Sequence, residues 1–371
     1  MKILFTGGGS GGHIFPIIAV IREIKRIMPE IELVYLGPRD EWVALHLAQE
    51  DIKIKKILAG KIRRYFSPSA ILLNFFGVFL SFFGFFQSLF SIFFINPDLI
   101  FSKGGYGSIP VVLAGKILGI PIFIHESDIS PGFSNRFASK LALEIFTSFF
   151  NTEYFAQEKT IVVGNPLRRE IFGGSEETSK ELFKLTGGKP VIFILGGSQG
   201  AERINDLVLL AAPQLLEKFE IIHQCGEKNF ARVSSEAKVV AKGELAKYYH
   251  PWGFLHESEL KEAFFSADVI VSRAGSGSIF AVAALARPSI LIPLPESAQN
   301  HQFKNAYAFA EKGACLVIEE VNLSHGFFLE RLDYLTSHSE EMEKMREAAK
   351  DFARPLAAKV IAQYLLEYLL R

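Results

Sequence analysis

Short apolar runs rich in β-branched and aromatic residues alternate with longer stretches of helical period from one end of the chain to the other. KILFTG breaks into glycines and leads to a helix-period stretch from about Pro16 to Met28; ELVYLG, DLIFSKGG, IPIFIHE and EIFTSF follow in the same rhythm. Strands alternating with helices predict a parallel sheet. At PVIFILGGSQGA (190–201) the pattern restarts as it began and continues through FEIIHQCG, ADVIVSRAG and SILIPLP. The pattern therefore predicts the α/β class, with two similar α/β halves. Their join is expected near IVVGNPLRREI (161–171), where Gly164, Asn165 and Pro166 interrupt the pattern. This gives an N-terminal domain over 1–162 and a C-terminal one over 163–345, with 346–371 a helix that packs back on the first. Ligands of open parallel sheets bind beyond the carboxyl ends of the strands. GGGSGGH, SKGGYGS, HESD, GGSQGA, SRAGSGS and PESAQNHQ each follow a predicted strand, so most of them are expected to line one cleft between the halves.

Composition narrows the classes. A chain of 371 residues can bury two cores. Its formal net charge of zero lacks the basic field of a nucleic-acid binder, so no nucleic-acid partner is expected. Cys225 and Cys315 form no C-x-x-C and are read as buried thiols in a reducing compartment. Only four residues separate Lys2 from the glycines, too few for a signal-peptide core, so a cytoplasmic location is expected.

The opening loop fits two unrelated fingerprints. Gly7, Gly9 and Gly12 match G-x-G-x-x-G, yet the acid that would hold a ribose comes late, at Asp40. Gly8, Ser10 and Gly12 match G-x-S-x-G, but so do Gly196, Ser198 and Gly200, and a serine hydrolase needs one elbow. Phosphate binding remains: small residues let backbone N–H groups approach an anion at the positive end of a helix. The chain has no Asp-x-Asp and no His-Glu-x-x-His. A departing diphosphate would then be stabilised by helix termini and cationic side chains, without a metal or cofactor.

Seven segments in order, GGGSGGHIFPIIAV, SKGGYGSIPVVLA, IHESDISPGFSNR, GNPLRREIF, ILGGSQGA, SRAGSGSIF and PLPESAQNHQFKNA, resemble the motifs of the MurG family over residues 3 to about 315. The resemblance implies a GT-B fold, two Rossmann-like domains facing a central cleft. It also implies metal-independent, inverting transfer of GlcNAc from UDP-GlcNAc to undecaprenyl-linked lipid I, giving lipid II. By the same resemblance Ser10, Gly11 and Gly12 of the first loop and Gly104, Gly105 and Tyr106 of the second face the lipid diphosphate. Arg168, Ser198, Gln199, Arg273, Ser276, Gly277 and Ser278 surround the UDP diphosphate and ribose, on the second half. Phe254 and Leu255 flank the uracil, and Gln302 and Asn305 read the sugar hydroxyls. Imidazole titrates near neutrality, which makes His13 the first candidate for general base and the Asp128 carboxylate its rival. His125 and His223 read as structural hydrogen-bonders. The chain departs from the commoner family form at His125-Glu126-Ser127-Asp128, where His-Glu-Gln-Asn is usual, and at Ala281, where a ribose-holding Glu is frequent. Ser276 and Ser278 are the available substitutes for that Glu.

Ten of the 35 phenylalanines lie between Phe75 and Phe94. The run 71–95 is long enough to cross a bilayer core of ~30 Å. Asn74, Gly77, Ser81, Gly84, Ser88 and Ser91 nevertheless recur at spacings of three and four, a small stripe on which such a helix would pack. A buried core helix, a transmembrane span and a docked interfacial helix are the alternatives. The basic segment 53–64, with Lys53, Lys55, Lys56, Lys61, Arg63 and Arg64, favours the last, a peripheral contact with an anionic membrane surface on its cytoplasmic face. A glycolipid-forming UDP-sugar transferase and a non-catalytic sugar-nucleotide-binding subunit remain as alternative functions.

Overall fold

A computed structural model describes the chain apart from residues 62–66, 151–153 and 198–199 and the side chains of 68–70. It divides into two compact units, one of Met1–Arg168 with Arg354–Arg371 and one of Arg169–Ala353. Among the described residues each unit holds one parallel sheet, of seven strands in the first and six in the second.

The first unit runs β1 (Lys2–Thr6), α1 (Gly11–Ile27), β2 (Glu32–Pro38), α2 (Glu41–Ala48), β3 (Lys53–Ile57), α3 (Pro68–Ile95), β4 (Leu99–Ser102), α4 (Ser108–Ile117), β5 (Ile122–Glu126), α5 (Phe133–Ser139), β6 (Glu144–Thr147) and β7 (Thr160–Val162). Its sheet has the order β3-β2-β1-β4-β5-β6-β7. The order reverses at β1, so the turns after β1 and β4 flank a topological switch point, where doubly wound sheets bind ligands. The register from Ile3↔Leu99 to Thr6↔Ser102 brings the two turns out side by side. Ile3, Phe5, Leu99 and Phe101 are buried on one face of the sheet, and Leu4, Val34, Ile100 and Ile122 in a second cluster. Burial on both faces is why these strands read as continuous apolar runs rather than alternating ones.

The second unit runs α6 (Glu176–Phe183), β8 (Val191–Leu195), α7 (Glu202–Lys218), β9 (Glu220–Gln224), α8 (Phe230–Val240), β10 (Tyr249–Trp252), α9 (Glu257–Ser266), β11 (Val269–Ser272), α10 (Ser276–Ala284), β12 (Ser289–Leu291), α11 (His301–Ala310), β13 (Leu316–Val317), α12 (His325–Ser337) and α13 (Ser339–Phe352). Its order β10-β9-β8-β11-β12-β13 repeats the reversal, with the switch point at β8 and β11. The chain then returns to the first unit as α14 (Ala357–Leu370), whose Ile361, Ala362 and Leu365 are fully buried in the cluster that holds α1.

The phenylalanine run forms α3, and its packing distinguishes the three alternatives. The Gly60 N–H donates to Ser81 Oγ at 3.1 Å, and the Leu58 N–H donates to Gln87 Oε1 at 2.8 Å. A Cβ on Gly84 would collide with the Leu58 carbonyl, and one on Gly60 with the Gly77 backbone, so glycine alone permits this close approach. Phe85, Leu89, Ile92 and Ile95 turn toward the sheet and α4, whereas Phe75, Phe76, Phe79, Phe82, Phe83, Phe86, Phe90, Phe93 and Phe94 are exposed. α3 is thus not a buried core helix. Nor does it carry the chain across a bilayer, because β3 and β4 on either side of it belong to one sheet. Lys53, Lys55 and Lys56 stand exposed on β3, an edge strand, where lysine also discourages edge-to-edge pairing. Lys61 is exposed, and Arg63 and Arg64 fall outside the described residues.

Candidate functional site

Ser10 holds the N-cap position of α1, where a hydroxyl ordinarily accepts a bond from a first-turn N–H. Here it makes no cap; its Oγ lies 2.7 Å from His13 Nδ1. Gly11, Gly12 and His13 thus form a first turn without a side-chain cap, at the positive end of the helix. α4 likewise begins after Gly107 without a side-chain cap. Gly104 and Gly105 have φ of +84° and +86°, a backbone that glycine adopts without penalty. A Cβ on Gly105 would lie 2.6 Å from Gly8 Cα and 3.3 Å from His13 Cε1. The two glycine loops therefore meet backbone to backbone, with the His13 ring beside the contact. Tyr106 is half-buried with its hydroxyl near Gly9; burial and the Asp40 carboxylate push its phenol pKa up. Asp40 itself caps α2, accepting from the Val43 N–H at 3.2 Å.

Beneath the loops lies a cation that pattern reading overlooked. Lys103 is 2% exposed, and its Nζ donates to Ser127 Oγ at 2.6 Å. The Ser127 hydroxyl in turn donates to Asn165 Oδ1 at 2.8 Å. Burial pushes the Lys103 pKa down to about 8, against the pull of Glu126 and Asp128. Burial and the Lys103 charge together hold His13 at about 3, so at neutral pH its imidazole is an uncharged acceptor. Glu126 is buried, accepting from the Asp128 N–H at 3.0 Å and from Asn135 Nδ2 at 2.9 Å; burial, then Asp128, push its pKa up. Asp128 lies on the loop after β5, partly buried, where its charge bears on both Lys103 and Glu126. His125 Nε2 donates to the Gly164 carbonyl at 3.0 Å, a structural role.

That last bond relocates Arg168. Expected with the second half, it belongs to the first unit, its guanidinium 4.4 Å from the centre of the Phe15 ring of α1. The cause is a pair of long-range bonds: Gly164 and Asn165 are tied to His125 and Ser127, so the segment after β7 stays on the first sheet.

In the second unit the turns after β8 and β11 occupy the switch point. Ser198 and Gln199 lie outside the described residues. Around them, Gln224 donates from Nε2 to the Gly197 carbonyl at 3.1 Å and accepts at Oε1 from the Leu255 N–H at 3.1 Å. Gln224 thus ties the glycine turn to the 254–255 segment; a polar residue at the end of a buried strand was the available signal. Leu255 is buried, while Phe254 is partly exposed with its ring against His256. α10 starts after Gly275 without a side-chain cap, with Gly277 exposed and Ser278 partly so. Ser276 Oγ is buried with no hydrogen-bond partner among the described residues, and Ala281 is buried on the same helix. Arg273 donates from Nη1 to the Ile292 carbonyl at 3.2 Å and pairs through Nη2 with Glu320, which also pairs with Arg203. Gln302 Oε1 accepts from the Leu294 N–H at 3.0 Å. Asn305 is fully buried and donates to the Ala274 carbonyl at 3.4 Å, bracing the Arg273–Ser278 turn from behind. His223 is structural: the Tyr249 hydroxyl lies 2.7 Å from Nδ1 and Asn205 Oδ1 3.0 Å from Nε2. Both cysteines are buried and unbridged, and burial pushes the Cys225 thiol up to about 11.

Comparison with known proteins agrees with this arrangement. Residues 3–147 match the glycosyltransferase family 28 N-terminal domain and residues 191–361 its C-terminal domain. The chain is 34% identical over 345 residues, 92% of each chain, to the UDP-N-acetylglucosamine--N-acetylmuramyl-(pentapeptide) pyrophosphoryl-undecaprenol N-acetylglucosamine transferase of Clostridium tetani. It is 33% identical to the protein of that name from Treponema denticola, over 99% of this chain and 97% of the other. Among solved structures, Acinetobacter baumannii MurG superposes with a TM-score of 0.75 at 24% identity, covering 99% of both chains. UDP-GlcNAc 2-epimerase from Neisseria meningitidis superposes with 0.69 at 16% identity, over 99% of this chain and 100% of the other, a likeness of fold. With near-full-length relatives at this identity and both domain models matched, the chain belongs to glycosyltransferase family 28 and, within it, to the MurG family of GT-B fold.

Proposed function

We propose that this chain is an inverting glycosyltransferase that moves GlcNAc from UDP-GlcNAc to the muramoyl-pentapeptide of undecaprenyl-diphosphate lipid I, giving lipid II for peptidoglycan synthesis. The observation that carries this reading is the pair of touching glycine loops at the first switch point, with His13 beside the contact. Two helix starts without side-chain caps and small residues make a cradle suited to a diphosphate. With Nδ1–H donating to Ser10 Oγ, His13 Nε2 is left as an acceptor. It takes the proton of the acceptor hydroxyl as that oxygen attacks the anomeric carbon. UDP leaves from the opposite face with the bonding pair, and the configuration inverts. The low pKa of His13 belongs to the ligand-free site; a diphosphate on the loops stabilises the imidazolium and raises it. Asp128 lies where its carboxylate supports the Lys103 charge, which leaves His13 the better-placed base.

On the second unit the start of α10, Ser276, Gly277, Ser278 and Arg273 receive the charge of the departing UDP, so the reaction needs no metal. Phe254 and Leu255 flank the uracil and Gln302 reads the sugar, while Asn305, fully buried, braces from behind the Arg273–Ser278 turn that receives the diphosphate. The polyprenyl tail of the acceptor places the enzyme peripherally on the cytoplasmic face of the membrane. There α3 presents its phenylalanines to the acyl boundary, and Lys53, Lys55, Lys56 and Lys61 meet anionic headgroups. The test compares acceptors: labelled GlcNAc is expected in lipid I and absent from diacylglycerol. Transfer to diacylglycerol instead would make this a glycolipid-forming enzyme, and UDP-GlcNAc binding without any transfer would make it a non-catalytic subunit.

A further inference from the structure

A fully buried lysine is rare unless paired, because burial penalises the ammonium form. Lys103 is buried at 2% exposure, yet among the described residues its ammonium has one hydrogen-bond partner, Ser127 Oγ, and no carboxylate within ion-pair distance. The bond has a fixed direction. Ser127 gives its proton to Asn165 Oδ1, so it offers Lys103 only a lone pair, which suits the charged form. Two of the three N–H groups are left over. Lys103 continues β4 past Ser102, its own N–H donating to the Thr6 carbonyl at 2.9 Å, and its Cβ would lie 3.7 Å from a Cβ on Gly7. The next residues, Gly104 and Gly105, carry the second loop to its contact with Gly8. The cation therefore lies under the floor that both loops share.

We propose that Lys103 is an anion-binding residue of this site, its unused N–H groups and buried charge directed at a phosphate oxygen of the diphosphate that rests on the two glycine loops. The proposal rests on the reading of those loops as a diphosphate cradle and adds a cation that the glycine motif itself lacks. Ser127 and Asn165 are positioning residues that hold the ammonium under the loops. Charged and titratable groups bear on it from each neighbouring element: His13 on α1, His125 and Glu126 on β5, and Asp128 on the loop that follows. The two carboxylates keep Lys103 protonated in the empty site, and an arriving anion meets a charge already in place. With the pKa pushed down to about 8, that charge is lost as pH rises from 7 to 9.

The test is calorimetric binding of geranyl diphosphate to the full-length chain in detergent, with UDP as control. Lys103→Met keeps the volume of the stem and removes the charge; the expected result is an affinity lower on the order of 10-fold or more, with UDP binding unchanged. Wild-type affinity is expected to fall between pH 7 and 9, and K103M to be flat. Equal affinities at pH 7, or the same pH dependence in both proteins, overturn the proposal. Should K103M fail to fold, the wild-type profile decides alone: affinity constant from pH 7 to 9 overturns it. Ser127→Ala, which frees the ammonium from its anchor, is expected to give an intermediate loss, and no loss would remove Ser127 from its positioning role. The outcomes separate from those for the activity: a chain that binds geranyl diphosphate through Lys103 but transfers no sugar retains this site and loses the proposed function. One that transfers normally as K103M does the reverse.

Discussion

Replacing Phe82, Phe83, Phe86 and Phe90 of α3 by serine removes four rings that are 56%, 44%, 51% and 67% exposed. A phenylalanine buries on the order of 200 Å², so each half-exposed ring offers roughly 100 Å² to lipid. At about 25 cal/mol per Å² this amounts to ~2.5 kcal/mol for full immersion. An interfacial helix immerses one face only, which leaves ~1 kcal/mol per ring and ~4 kcal/mol for the four. Partitioning onto anionic vesicles is then expected to weaken on the order of 10³-fold, since each 1.4 kcal/mol is tenfold. The fold is spared, because α3 is held by Ser81, Gln87 and the glycine contacts, none of which is altered. Sedimentation with vesicles containing anionic lipid measures the partition coefficient, and thermal unfolding checks the fold. A quadruple variant that keeps its melting temperature and still binds vesicles as the wild type does refutes α3 as the membrane-docking element. The exposed lysines at 53, 55, 56 and 61 would then carry the attachment alone, and 0.5 M salt would release it.

His13→Ala is expected to lower kcat by roughly 10²–10⁴ while the KM for UDP-GlcNAc stays within a few-fold, the signature of a lost general base; near-normal turnover would dismiss His13 from that role. Gly105→Ala forces a Cβ to 2.6 Å from Gly8 Cα at a φ of +86°, and a cost of about 2–4 kcal/mol in urea unfolding is expected from strain and clash. Gly12→Ala meets no atom within 4 Å; it is expected to keep or slightly raise stability while raising the acceptor KM, and an unchanged KM would place the diphosphate elsewhere. His223 is held at about 3 by burial, against 6.5 when unfolded. Below pH 6.5 the unfolded state therefore binds one more proton than the native state, and stability falls toward pH 3 by up to ~1.4 kcal/mol per pH unit from this ring. Urea midpoints from pH 7 to 5 should decline less steeply in His223→Gln, and an identical slope would mean that the ring is protonated in the folded state.

Much of the fold is legible because its causes are local. KILFT, LIFS and VIFIL are continuous apolar runs since their strands are covered on both faces, and each breaks into glycine where the backbone turns toward a helix start. The small stripe of α3 is readable for the same reason, as Gly77, Ser81 and Gly84 share one helix face and it is that face which packs. What local pattern misses is settled by distant partners. The Gly164-Asn165-Pro166 break reads as a linker, yet bonds to His125 and Ser127, 39 and 38 residues away, fasten it and Arg168 to the first unit. Lys103 reads as one more charge at a strand end, and its burial follows only from the meeting of two loops almost a hundred residues apart. Gln224 and Glu320 likewise owe their roles to partners that no spacing announces.

The proposed chemistry is tested most directly by incubating the purified chain with labelled UDP-GlcNAc and lipid I in the presence of excess chelator. A lipid-linked disaccharide of inverted anomeric configuration, formed at an undiminished rate, is the predicted result. Absence of lipid-linked product, or product that forms only when divalent metal is restored, would contradict it.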